Sequence, residues 1–174
     1  MKKLILDACC GSRMFWFDKK NPSVLFMDNR RLKTKLCDGR VLEINPDVVA
    51  DFRNMPFPDN SFYLVVFDPP HLLRAGENSW LAAKYGKLDE KMWRYDLRQG
   101  FNECMRVLKP NGTLVFKWNE DQISVGECVL NFGKEPLLGF RRGKTHFLVY
   151  MKMNDCEKES KVCWKTNVRI AEEI

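Results

Sequence analysis

Histidine is scarce in this chain: His71 and His146 are the only two in 174 residues. The seven cysteines do not make up for it. Cys9 and Cys10 are adjacent, and Cys37, Cys104, Cys128, Cys156 and Cys163 are scattered, so no zinc-type ligand spacing exists and no metal is expected. No apolar run nears the roughly 18 residues of a membrane span. The opening MKKLILDACC has the lysines and the cysteine of a lipoprotein signal, but Asp7 breaks the apolar run after Leu4-Ile5-Leu6. An export signal needs ~7–15 apolar residues. The thiols are therefore expected to be reduced, an odd number of them cannot all pair within the chain, and the expected location is cytoplasmic. Internal repeats and low-complexity linkers are also missing.

What is present is core material. Hydrophobic residues make up 45% of the chain, with 12 Phe and 5 Trp, enough for one sizeable core. The net charge of +6 suits a nucleic-acid partner and equally suits a solvated surface, so charge alone leaves both open. Four short apolar runs end in aspartate: Leu4–Asp7, Val24–Asp28, Val48–Asp51 and Leu64–Asp68. Continuous runs of this length suit strands buried on both faces of a parallel sheet. An acid at the carboxyl end of such strands lies at the edge where α/β folds bind ligands.

Helical spacing of Leu97, Phe101, Met105 and Leu108 predicts a helix over 95–108, stopped by Lys109-Pro110-Asn111-Gly112. Thr113–Trp118 reads as a fifth strand, about 120–131 as a second helix, and 137–140 with 145–151 as a terminal hairpin. Residues 73–94 form an insertion with Leu81, Tyr85, Leu88 and Met92 on one possible helical face, interrupted by Gly86. From Asn154 the chain turns polar and lysine-rich, with Trp164 as its one strong docking residue. The expected organisation is one α/β domain over 1–153, with a Rossmann-like, doubly wound, mostly parallel sheet in three α/β/α layers, and a tail over 154–174.

The most specific string is Asp68-Pro69-Pro70-His71, directly after an apolar run. Two prolines remove two backbone donors, fix φ and push each preceding residue out of the α region. The segment is held extended with its carbonyls free. A carboxylate beside a fixed carbonyl makes a pair of acceptors suited to an exocyclic amine, and His71 offers a ring for stacking. A plain rigid turn is the alternative reading of the same residues. Ser12–Phe17 is unusually bulky, suggesting a short packed helix or a pocket wall made by Phe15, Trp16 or Phe17.

The order LDACCG, FMD, VVAD, VVFDPPH, RVLKPNGTLVFKW resembles the class I S-adenosylmethionine-dependent methyltransferases over about residues 3–152. The Asp-Pro-Pro-aromatic element resembles those that methylate N6 of adenine, N4 of cytosine or N2 of guanine in DNA or RNA. The resemblance implies S-adenosyl-L-methionine as cofactor. It places Asp7, Ala8, Cys9, Cys10 and Gly11 in the turn under the methionine part, Asp28 and Asn29 at the ribose, and Asp51 and Phe52 at the adenine. It makes Asp68, Pro69, Pro70 and His71 the catalytic group that holds the target amine, with Asp68 also beside the cofactor. Two departures stand out: one glycine where the turn usually has several, and His71 in place of Tyr, Phe or Trp. The implied partner is nucleic acid, DNA before RNA, contacted by Arg13, Arg74, Lys84, Lys87, Arg141, Arg142 and Lys144. Lacking a target-recognition domain, the chain would read sequence through 73–94, the tail or a partner protein. A small-molecule or protein acceptor, and an NAD-linked or other nucleotide-binding domain on a similar sheet, remain as alternatives.

Overall fold

In the computed structural model the apolar runs that end in an acid become parallel strands. Residues 3–36, 38–76 and 79–153 are described; the expected tail, Trp164 included, lies outside them. In chain order the elements are β1 (Ile5–Asp7), β2 (Val24–Asp28), β3 (Leu32–Lys35), β4 (Val41–Ile44), β5 (Val48–Val49), β6 (Phe62–Phe67), α1 (Trp80–Tyr85), α2 (Trp93–Val107), β7 (Leu108–Asn119), α3 (Val125–Phe132), β8 (Leu138–Arg142) and β9 (Thr145–Met151).

Seven strands form one sheet in the order β5-β2-β1-β6-β7-β9-β8. The first five are mutually parallel; β9 runs antiparallel to β7, and β8 antiparallel to β9. This is the expected α/β architecture, a mostly parallel sheet closed by an antiparallel hairpin. From β1 the chain order proceeds outward in both directions, so the crevice at the carboxyl ends of β1 and β6 is the topological switch point where such sheets take ligands. Register sets what meets there. Asp7 pairs with Phe26 of β2 and Val66 of β6, so Asp28 and Asp68 each lie two residues beyond its partners.

The two sheet faces are covered differently. Leu6, Met27, Val65, Phe67, Leu114, Phe116 and Trp118 face α2 and α3, where Phe101 stacks on Phe132 at 4.3 Å between centroids. On the other face Val24, Phe26 and Cys10 gather with Ile5 and Trp16, which meets Phe26 edge-on at 5.8 Å. Residues 12–22 make turns and bends here, not the short helix that their bulk suggested.

Three other expectations are corrected. The helix expected over 95–108 starts at Trp93, and Leu108 opens β7 because its backbone pairs with Phe62. The helix expected from about 120 starts at Val125, where Ser124 and Glu127 form a capping box that satisfies the first-turn N–H groups. The insertion has no single helical face: α1 stops after six residues at Gly86 (φ 77°), leaving Leu88 buried while Leu81 and Met92 are exposed. The β3–β4 hairpin was not expected; its alternation buries Leu42 and Ile44 and exposes Lys33, Thr34 and Lys35.

Gly100 lets α2 lie close to the sheet. A Cβ there would sit 2.6 Å from Cδ2 of Phe52 and 2.7 Å from Cζ of Phe67, both buried rings. Gly100→Ala is therefore expected to destabilise the protein by about 1–3 kcal/mol through overpacking, more than the ~1 kcal/mol that alanine's helix propensity returns. Urea unfolding checks this; a variant more stable than the parent would contradict the close approach.

Candidate active site

The turn after β1 is laced to both neighbouring strands. The Ala8 N–H donates to the Val66 carbonyl at 2.9 Å and the Cys10 N–H to the Met27 carbonyl at 2.8 Å. Ala8 and Cys10 are buried, which explains why small residues occupy these positions. Burial pushes both the Cys9 and Cys10 thiols up, so they are neutral packing groups and not nucleophiles. Gly11 has φ 48°, a left-handed value that favours glycine, and a Cβ built on it would meet nothing within 4 Å. Open space therefore stands in front of the turn.

That space is a cavity of about 520 Å³. Three carboxylates face it, each compensated in its own way. Asp7 accepts from Nε1 of Trp16 at 2.6 Å and from the Cys9 N–H at 3.3 Å. Burial, reinforced by the charges of Asp68 and Asp28, still pushes its pKa up from 3.8 to about 7. Asp28, 4% exposed, accepts from the Gly11 N–H at 2.9 Å and from the Arg30 N–H and Nε at 2.9 and 3.1 Å. Arg30 also donates to the Ala83 carbonyl, joining the insertion to the site. Asp68 pairs with the Lys117 ammonium. Burial raises the Asp68 pKa and the Lys117 charge lowers it, with burial the larger effect.

Of the residues singled out from the sequence, Asp7, Ala8, Cys9, Cys10, Gly11, Asp28, Asn29, Phe52, Asp68 and Pro70 line this one cavity. Three do not line it. Asp51 accepts three hydrogen bonds from the Arg53 side chain and one from its N–H, and Arg53 reaches on to Asp96. Pro69 is buried. His71 packs 5.2 Å from the Tyr85 ring and 6.3 Å from Trp118, and burial lowers its pKa. Pro70 backs onto Gly86, where a Cβ would approach its ring to 3.2 Å.

Several contributors were missed. Lys117 is the lone charge in the run Thr113–Trp118, and that interruption was a readable signal. Tyr85 and Phe147 join the cavity through long-range packing that no local pattern encodes, and Arg30 holds Asp28 from two residues away. Trp16, weighed with Phe15 and Phe17 as a pocket wall, does not line the cavity but donates to Asp7. Phe15 and Phe17, weighed as one of two options, do line the cavity. Of the cations expected at phosphate, Arg74, Arg141 and Lys144 are paired with Glu90, Glu120 and Asp121, while Arg13 is held by the Lys19 and Asn45 carbonyls and Asp47. Lys84 and Arg142 line the cavity. A second cavity of about 500 Å³ adjoins it beside the β3–β4 hairpin, sharing Gly11, Ser12, Met14 and Lys84 and lined also by Arg13, Lys19 and Lys20.

No protein-family model matches the chain, and no curated protein matches it in sequence. Solved structures do match it. A protein from Pyrococcus horikoshii is 16% identical, with TM-score 0.56 over 87% of this chain and 84% of that one. A SAM-dependent methyltransferase from Methanosarcina mazei is 12% identical, with TM-score 0.56 over 88% and 94%. A chain of the complex between the Haloferax volcanii Trm112 methyltransferase activator and a methyltransferase is 14% identical, with TM-score 0.51 over 88% and 84%. At these identities the likeness is one of fold: the chain has the class I fold of SAM-dependent methyltransferases.

The Asp7 pKa has a consequence for stability. Because the folded value lies above the unfolded one, the folded state binds the extra proton between about pH 4 and pH 7, and stability falls as pH rises through that window. Asp7→Asn removes this slope. Its stability relative to the parent is expected to rise from pH 4 to pH 8 by at most about 4 kcal/mol, from ~1.4 kcal/mol per pKa unit. Denaturant unfolding at the two pH values measures it, and an identical difference at both would show that Asp7 is not held protonated.

Proposed function

We propose that this chain is an S-adenosylmethionine-dependent methyltransferase acting on an exocyclic amine of a nucleic-acid base, with N6 of adenine in DNA the first acceptor to test. One observation carries the reading: Asp68 and Pro70 face the same cavity as Gly11, Asp28 and Asn29, at the switch point of the sheet. The resident group fits these residues. The turn at Gly11 is open in front, and a buried carboxylate closes β2 where a ribose would lie. The wall formed by Met14, Phe15 and Phe52 is apolar.

S-adenosylmethionine, when bound, supplies a methyl already activated on a sulfonium. The chain's residues then position and desolvate. Asp28 would accept the ribose hydroxyls, with Arg30 yielding part of its hold on the carboxylate. The backbone N–H groups of the 8–11 turn are spent on β2, β6, Asp7 and Asp28, so this turn holds its shape without help from a ligand. Asp68 would accept a hydrogen bond from the target amine and leave its lone pair free. Lys117 opposes the effect of burial and favours the ionised, accepting form of Asp68. The raised pKa that remains suits Asp68 to take the proton the nitrogen releases after transfer. Lys84 and Arg142 at the cavity mouth, and the basic second cavity, favour a polyanionic acceptor. A recognition partner would add the sequence reading that the short 73–94 insertion leaves wanting, and the same experiment asks whether RNA replaces DNA.

Labelled-methyl transfer to DNA and RNA, single-stranded and duplex, tests the acceptor. Asp68→Ala is expected to lower transfer at least about 10²-fold, as loss of a positioned catalytic hydrogen-bonding group does. Equal incorporation by the variant would remove the role given to Asp68. Calorimetry is expected to show cofactor affinity falling ~10-fold or more in Asp28→Ala, the worth of a hydrogen bond to a charged group. Cofactor binding without transfer to any nucleic acid would move the acceptor to a small molecule or a protein.

A further inference from the structure

The terminal hairpin carries a row of rings that the core does not require. Phe140 of β8 stacks on Phe147 of β9, with centroids 4.6 Å apart and planes 8° from parallel. Phe147 in turn meets Phe15 at 6.1 Å. Phe15 and Phe147 line the cavity, so the row runs from the cavity mouth to the outermost strand. It lies on the sheet face opposite α2 and α3, since Leu148 and Tyr150, the alternate residues of β9, point into the helix-covered core. Phe140 is 62% exposed, and every residue of β8 is exposed. An exposed, contiguous apolar strip at the mouth of a site marks a surface that something covers.

Charge indicates what covers it. Arg142, two residues from Phe140, lines the cavity mouth and has no ion pair or side-chain hydrogen bond among the described residues. Its neighbours are committed, Arg141 to Glu120 and Lys144 to Asp121. Across the mouth, Lys84 lies over the rings of Tyr85 and Trp80 at 4.9 and 5.7 Å without a carboxylate partner. A row of flat rings flanked by cations without a carboxylate partner matches a strand of bases and phosphates, and unpaired bases alone expose the faces that such rings can stack on.

We infer that Phe140, Phe147 and Phe15, with Arg142, form a stacking platform for the base adjoining the target, and that the acceptor is therefore single-stranded nucleic acid. The inference rests on the nucleic-acid reading above and narrows its substrate class. The base next to the target lies on Phe140, its phosphate meets Arg142, and the target itself enters between Phe15 and Pro70. A single-stranded acceptor also spares the few kcal/mol of unpairing that extrusion from a duplex costs.

The test uses the full chain and fluorescein-labelled 12-nucleotide DNA and RNA, single-stranded and duplex, followed by anisotropy, with methyl transfer measured on the same oligonucleotides. The wild type is expected to bind single strands more tightly than duplex. Phe140→Ala weakens that binding about 10-fold, the range for loss of one base–aromatic stack, and Phe140→Trp restores it. Arg142→Ala lowers the slope of log affinity against log salt by about 1. Affinity for S-adenosylmethionine is expected to be the same in the wild type and the two Phe140 variants, and the thermal unfolding midpoint of Arg142→Ala to match the wild type, which checks that each is folded. Wild-type affinity in Phe140→Ala, or transfer with an unchanged KM, overturns the platform and leaves the acceptor reading standing. Failure of the wild type to bind or methylate any oligonucleotide overturns both. A wild type that self-associates in sedimentation while Phe140→Ala is monomeric assigns the strip to a second copy and also overturns the platform.

Discussion

Three carboxylates brought to one sheet edge are the constraint around which this structure is arranged. Parallel pairing places Asp7, Asp28 and Asp68 at the carboxyl ends of three adjacent strands, where the charges of Asp28 and Asp68 oppose ionisation of Asp7. Each needs its own compensation, and each partner comes from a different part of the chain. The 12–22 turns bring the Trp16 indole to Asp7, the segment after β2 returns Arg30 to Asp28, and β7 delivers Lys117 to Asp68. Remove any one and a buried or half-buried acid is left facing the other two.

The same arrangement explains how the fold reaches outward from the site. Arg30 ties the insertion to β2 through the Ala83 carbonyl, so the short helix α1 is held beside the cavity in spite of having no buried residues of its own. Gly100 brings α2 down onto Phe52 and Phe67, and Phe52 is also a wall of the cavity. Packing and site therefore share residues, and changes in one are felt in the other.

How much of this was legible depended on whether the signal was local. The strands β1, β2 and β6 were readable because continuous apolar runs ending in an acid have few other physical meanings, and Asp68-Pro69-Pro70 was readable because two prolines allow few backbone shapes. The β3–β4 hairpin was missed because Lys33, Thr34 and Lys35 are exposed on a polar strand, although the alternation of Val41-Leu42-Glu43-Ile44 was there to be read. Trp16 on Asp7 and Lys117 on Asp68 span 9 and 49 residues, and Asp51 is drawn to Arg53 two residues away. Side-chain pairing of this kind is settled by three-dimensional proximity, which strand patterns do not carry.

The central claim is that these acid-ended strands build a site for S-adenosylmethionine and not for a dinucleotide on a similar sheet. Calorimetric titration of the wild-type chain with S-adenosylmethionine and, separately, with NAD tests it most directly. One equivalent of S-adenosylmethionine bound, with no heat from NAD, is the expected result; NAD binding with no heat from S-adenosylmethionine would contradict the account.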